Sequence, residues 1–576
     1  MVVGAGLGTN TRLTAQSDER VRALADRYWE AAIEHTPTFA TSIGDYRFND
    51  RLEDVGAEAR QRWKTTLAGL LREVEGIPEG RLPSPDALTR DVLSRSLRDA
   101  SLRLECLQHL TPLDPLDGPH IQLPLLLVSQ PFRNVADFRA YVARLRAFRR
   151  QVTDHVANMR TGLGLGIVSP KIIIEKVIPQ IRTHLVQDVK RSEFYAPVMR
   201  INGLDATEAA EVTAEVADAI AGDVIPAYLQ LLSFVEDEYL PRCRETVGLA
   251  GVPNGDKIYE ALAYLNTTVR MKPSEIHELG HSEVARIRNE MSKIQSEIGF
   301  PGNLDGFLAH MRSDSRYRFS SGEELVRAAD ELLQRVKPKL PRIFGRLPKA
   351  DCVMKEIEPF RAQAAPVAYY NQPPEDGSRP GYYYINTFAP QERLRFTLEA
   401  LTYHEAVPGH HLQIALDQEN RSIPKFRRYG QFTAYVEGWA LYTEKLGFDI
   451  GEYQDPHSRF GQLTFEMWRA CRLVVDTGMH VKGWTRQQAI DFMAANTSLA
   501  RIDIEAEIDR YIAWPGQALA YKIGELRISQ LRKEAEQELG AKFDLRAFHD
   551  ALLADGAMPI DMLESRMRGW IADRKK

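Results

Sequence analysis

Cysteine is scarce in this chain. There are four in 576 residues, Cys106, Cys243, Cys352 and Cys471, and none forms a CxxC pair. That excludes a disulfide framework and a Cys-rich zinc module. Scattered thiols fit a reducing compartment, so the expected location is cytoplasmic. Long apolar runs are missing too. Nowhere do 18 consecutive apolar residues occur, so no transmembrane helix is expected. No strongly basic amphipathic helix stands out, so neither is a membrane-surface role. The opening MVVGAGLGTNTRL has no basic region before an apolar core and does not read as a signal peptide. Nor is there an excess of positive charge. Lys plus Arg number 74 against 79 Asp plus Glu, a formal net charge of −5, so nucleic acid is not an expected partner. No fixed-period repeat or low-complexity segment is found. With 44% apolar and 27% charged residues, the chain has enough apolar material to bury and is not expected to be disordered.

The dominant pattern is helical. Residues 1–16 read as a loose tail. Ser17 then suits the cap of a helix over about 18–34, with Val21, Leu24, Ala25, Tyr28 and Ala32 at helical spacing. Similar patterns recur near 56–76, 86–109, 135–162 and 206–238. Pro/Gly-rich connectors occupy 110–124 and 247–256. The expected division is a helical scaffold over 17–265 and a catalytic region over 266–576, with a soft boundary, forming one continuous two-lobed body. One stretch is β-like: VAYY and YYYINT flank a Pro/Gly/Asp turn within 367–387, as in a hairpin with a long loop.

Two His-Glu motifs compete for a metal. The first, His277-Glu278-Leu279-Gly280-His281, is a literal HExxH, the spelling that places two histidines on one helical face with a Glu beside them. Its helix carries an apolar stripe of Ile276, Gly280, Val284, Ile287, Met291, Ile294 and Ile298. At 100° per residue the stripe centres about 65° from His277 and about 105° from His281. Both histidines are therefore expected on the flank or surface. Glu323 and Glu324 are available as a third ligand, but nothing marks them.

The second motif is Tyr403-His404-Glu405-Ala406-Val407-Pro408-Gly409-His410-His411. A helix leads into it from Arg393, and Pro408 with Gly409 then breaks the pattern. On an unbroken helix His411 would share a face with His404 about 10 Å further along. That is too far for two ligands at roughly 2 Å each from one ion. A distorted turn could instead bring in His410, and His411 stays open as the alternative. A third ligand is expected from the TAYVEGWALYTEKLG helix over 433–447. There Glu437 and Glu444 share a face beside Trp439. Glu437 is the expected ligand, and Glu444 a partner that orients a histidine.

HEAVPGHHLQ followed by YVEGWALYTE resembles the bacterial domain-of-unknown-function family numbered 885, which is grouped with the gluzincin-like metallopeptidases. GLAGVPNG (248–255), DGSRPGYYYINT (376–387), RLVVDTGMH (472–480) and RYIAWPGQALAYKIG (510–524) look like it too, so the resemblance spans nearly the whole chain after the tail. It implies a mainly α, multi-helix zincin-like (gluzincin) peptidase fold, with a small β-sheet or hairpin beside the active-site cleft. It names no substrate, and it does not place the metal at His277 and His281.

The expected chemistry is hydrolysis. One Zn²⁺ held by His404, His410 and Glu437 would activate a water, with Glu405 as general base. Imidazole plus carboxylate also suits Mn²⁺ or Co²⁺. Tyr521, Tyr511 and His480 are candidate oxyanion donors, and Gln517 and Lys522 candidate substrate contacts. The hairpin edge could pair with an extended peptide, placing Asn386 and Thr387 near it. The substrate would be a peptide or small amide. A catalytically silent helical binding protein and an amidase for non-peptide amides are the alternatives, and the oligomeric state is open.

Overall fold

A computed structural model of the chain describes residues 19–78, 84–358, 362, 365–375, 377 and 379–576. The expected tail over 1–16, the Ser17 cap and turn residues Asp376 and Ser378 lie outside them.

Helices build nearly all of it. The N-terminal part contains α1 (Glu19–His35), α2 (Ala57–Glu75), α3 (Ser84–Glu105) and α4 (Val135–Leu165). The 31-residue α4 is capped by the Asn134 side chain, which accepts from the Asp137 N–H. Its buried Phe138, Leu145, Val152 and Met159 lie seven apart on one face. Against that face packs α5 (Ala206–Ala219) and its helical continuation to Arg242. By length and composition the stretch Ala206–Arg242 is long and apolar enough to cross a membrane. Here Val212, Val216, Val224 and Leu231 sit in the core shared with α4.

The rest is built around α6 (Pro273–Ile298), α7 (Leu398–Glu405), α8 (His410–Glu419), α9 (Thr433–Asp449), α10 (Pro456–His480), α11 (Arg501–Ala513) and α12 (Leu519–Leu539). Helix α10 is buried on almost every side from Ser458 to His480. Its charged residues are therefore enclosed, and Glu466 and Arg472 have ionic partners in Lys522 and Glu507.

A three-stranded sheet, ordered β1-β3-β2, stands beside α7: β1 (Cys352–Glu356), β2 (Ala368–Asn371) and β3 (Gly381–Ile385). The antiparallel β2–β3 pair is the expected hairpin, with Ala368 opposite Ile385. Strand β1, parallel to β3, carries no alternating apolar pattern and was not expected.

One core lies wholly before residue 265, and another spans it. One cluster joins Val21, Trp29, Leu67 and Leu97 to Leu332, Leu401, Trp439, Leu531 and Ile571. The first three helices thus pack into the same interior as the last.

Candidate metal centre

The break in the second motif has a visible cause. Helix α7 ends at Glu405 and α8 begins at His410, joined across a cis Val407–Pro408 bond. At Gly409 the chain doubles back so closely that a Cβ would lie 1.9 Å from the His404 carbonyl oxygen. Only glycine fits there. The Trp439 indole N–H donates to the Pro408 carbonyl at 3.0 Å, tying the turn to α9. The backbone folded in this way brings the His410 imidazole beside that of His404, with ring centroids 4.8 Å apart.

Glu437 on α9 meets them both. Its Oε2 is 3.5 Å from His404 Nε2 and 3.4 Å from His410 Nε2. One donor atom from each residue lies within 4.8 Å of the others, and no other such group of three occurs among the described residues. The donor set, two imidazoles and one carboxylate, suits a catalytic zinc site. Two observations fit a cation there. Buried Glu437 Oε2 has no hydrogen-bond partner among the described residues. The charge balance also calls for positive charge. Burial alone would lower the His404 imidazole, yet Glu437 and Glu444 raise it to about 9. Burial would likewise raise the Glu437 carboxyl, but His410 and His404 hold it well below its ordinary value.

The surrounding contacts complete the set. Glu444 Oε1 is 2.9 Å from His404 Nδ1, which leaves Nε2 as the nitrogen facing the centre. Half-buried Glu405 directly follows His404. It shares a helical face with Leu398 and Leu401, which line a small apolar pocket with Val367, Ile385 and Trp468. His411 is turned away. Its Nδ1 is 3.0 Å from the Tyr370 hydroxyl and its Nε2 3.0 Å from the Ala350 carbonyl, so it buttresses the sheet.

Tyr521 arrives from α12 through a close helix crossing. A Cβ on Gly438 would lie 2.5 Å from Gly524 Cα, and one on Gly524 would lie 1.9 Å from the Ala434 carbonyl oxygen. This contact sets α12 against α9, and the Tyr521 ring stacks on His404 at 6.3 Å and 11°. Its hydroxyl accepts from Arg510 at 3.0 Å, which leaves its own proton available.

The other candidates lie apart from the centre or are already committed. The Tyr511 hydroxyl accepts from Arg472 and Trp468 and donates to Glu507, so it cannot serve as oxyanion donor. Buried His480 uses both ring nitrogens on backbone, the Leu249 N–H and the Tyr511 carbonyl. Lys522, fully buried, spends its three donors on Glu466, Glu525 and Glu283. Asn386 is buried, with Nδ2 donating to the carbonyls of Ala362, Ala365 and Pro366, and it fixes a turn instead of facing a substrate. Thr387 packs against Gly322. Gln517 accepts from Arg510 and stays beside Tyr521.

At the first motif the expectation of a surface pair needs correction. Gly280 lies tight against Leu473 and Val474, which draws α6 onto α10 and buries His277. His277 Nδ1 is 2.8 Å from Thr477 Oγ1, and its Nε2 is 3.1 Å from that of exposed His281. No third ligand joins them among the described residues.

A family model described as a bacterial protein of unknown function (DUF885) matches residues 37–567. Two solved structures are similar. A candidate lipoprotein from Colwellia psychrerythraea has 29% identity and a TM-score of 0.91, covering 96% of this chain and 99% of its own. A candidate lipoprotein of unknown function from Shewanella oneidensis has 20% identity and a TM-score of 0.71, covering 95% and 99%, a likeness of fold alone. No curated protein matches the chain.

Proposed function

From the premise that this chain belongs to the DUF885 family of bacterial proteins of unknown function, we propose that it is a zinc-dependent hydrolase of gluzincin type, a metallopeptidase acting on peptides. The observation that carries this reading is the meeting of His404, His410 and Glu437, with Glu405 next in sequence and Glu444 behind His404.

His404, His410 and Glu437 would hold the ion. When bound, Zn²⁺ supplies Lewis-acid chemistry, acidifying a water and polarising the scissile carbonyl. Glu405 accepts a proton from the attacking water and returns it to the departing nitrogen. Tyr521, whose hydroxyl is oriented by accepting from Arg510, donates to the developing oxyanion. Glu444 holds the His404 tautomer.

Metal analysis followed by a peptide-library digest tests this. Wild type should contain about one zinc per chain and cleave peptides. Glu405→Gln should keep the zinc and lose on the order of 10²–10⁴ in rate, and His404→Ala should lose both. Full turnover by Glu405→Gln, or no bound metal in wild type, overturns the proposal.

A further inference from the structure

Three arginines crowd Tyr521. The Arg472 guanidinium lies 4.3 Å from the ring centroid, and those of Arg469 and Arg510 each lie 6.0 Å away. Arg469 is 4% exposed and Arg472 2%. Two carboxylates face these three cations. Glu507 receives Arg472 at 2.8 Å and Arg510 at 3.3 Å, and it also accepts from Tyr511. Glu444 lies 3.7 Å from Arg469, beyond hydrogen-bond reach, and its nearer contact is His404.

Donors are therefore left over. Nε and one terminal nitrogen of Arg469, one terminal nitrogen of Arg472 and Nε of Arg510 are buried with no hydrogen-bond partner among the described residues. Buried guanidinium N–H groups are ordinarily paired, and the fork they form matches the geometry of a carboxylate. Stacking on Phe465 and Trp468 supports the Arg469 side chain but satisfies none of these donors.

We infer that Arg469, Arg472 and Arg510 form a carboxylate-recognition site beside the metal centre, and that the substrate is a short peptide bearing a free carboxylate near the bond that is cut. This rests on the hydrolase reading above. Because Tyr521 touches both His404 and Arg472, the Arg472 guanidinium lies no more than about 11 Å from the His404 ring, roughly three residues of extended chain. The carboxylate is then the peptide's own C-terminus or an Asp or Glu side chain within that reach.

The test compares three matched peptides with the zinc-loaded enzyme: a free acid, its C-terminal amide, and an amide with Glu in place of the last residue. A tenfold or greater preference in kcat/KM for the free acid supports the inference and assigns the C-terminus. An equal preference for the Glu-bearing amide supports it and assigns the side chain. In Arg472→Gln, checked for zinc content and melting temperature, the acid-to-amide ratio should fall toward one. Should that variant not fold, the wild-type comparison still decides, and no preference for either carboxylate-bearing peptide over the plain amide overturns the inference. Binding is read separately by thermal shift of zinc-loaded Glu405→Gln with an N-acetyl dipeptide as acid or amide. Acid-selective stabilisation without hydrolysis by wild type leaves recognition standing and removes the hydrolase. Neither selectivity nor hydrolysis removes both.

Discussion

An imidazole has two nitrogens, and at His404 each has its own assignment: Nδ1 to Glu444, Nε2 to the centre shared with Glu437. Glu444 is fully buried and touches no substrate, so its contribution runs through His404. Glu444→Gln should weaken zinc binding about 10–100-fold. Competition with a calibrated chelator reads this, and unchanged affinity would remove Glu444 from its role. A second residue-scale expectation concerns Asp417 on α8. Burial raises its carboxyl to about 8, although Gln413 and the Ala557 N–H donate to it. An acid whose folded value lies above its ordinary 3.8 binds its proton more tightly in the native state. It costs stability as pH rises from about 4 to about 8, at roughly 1.4 kcal/mol per pH unit. Asp417→Asn removes that slope, so the variant should gain on wild type steadily between pH 5 and 8 in paired denaturant melts. A constant difference would contradict it.

At the scale of elements, the centre depends on two places where backbones come closer than side chains permit. One is the turn at Gly409; the other is the α9–α12 crossing at Gly438 and Gly524. Gly524→Ala must push the helices apart, because its Cβ would meet the Ala434 carbonyl oxygen at 1.9 Å. Overpacking of this kind typically costs about 1–3 kcal/mol. It should also lift Tyr521 from His404 while leaving the three ligands, all on α7, α8 and α9, in place. The expected result is a lower melting temperature and a large loss of turnover with zinc retained. An unchanged melting temperature would show that the crossing is not tight. The two glycines sit one residue after Glu437 and three after Tyr521, so the crossing sets where Tyr521 stands relative to the ligands held by α7, α8 and α9.

At the scale of the molecule, α1 to α3 share a core with the helices that carry the site. Val21, Trp29, Leu67 and Leu97 pack in one cluster with Leu401 and Trp439. A fragment of residues 266–576 would expose that surface. It should fail to melt cooperatively and be degraded by dilute protease under conditions where the full chain resists. A fragment that folds and binds zinc would show that the core shared with α1 to α3 is dispensable to the site. This core was not legible in the chain as written, since hydrophobic periodicity shows which face of a helix is buried and says nothing of which distant helix covers it. The HELGH helix shows the same limit. Its stripe was readable, yet the close approach at Gly280 rotates His277 into the α10 interface.

Local chemistry was written in the sequence. Periodicity located the helices, the aromatic runs located the β2–β3 hairpin, and Pro408 with Gly409 located the break, because a ring without an N–H and a residue without a Cβ change the backbone wherever they stand. The donor types followed from residue identity, so His404, His410, Glu437 and Glu444 could be named before any fold was known. Tertiary structure decided which groups remain free. Tyr511, His480, Lys522 and Asn386 have the right chemistry, but their hydrogen-bonding capacity is consumed, in large part by partners remote in sequence, whereas the Tyr521 hydroxyl accepts from Arg510. Long-range packing settles that difference, because a donor's availability depends on every neighbour the fold brings to it.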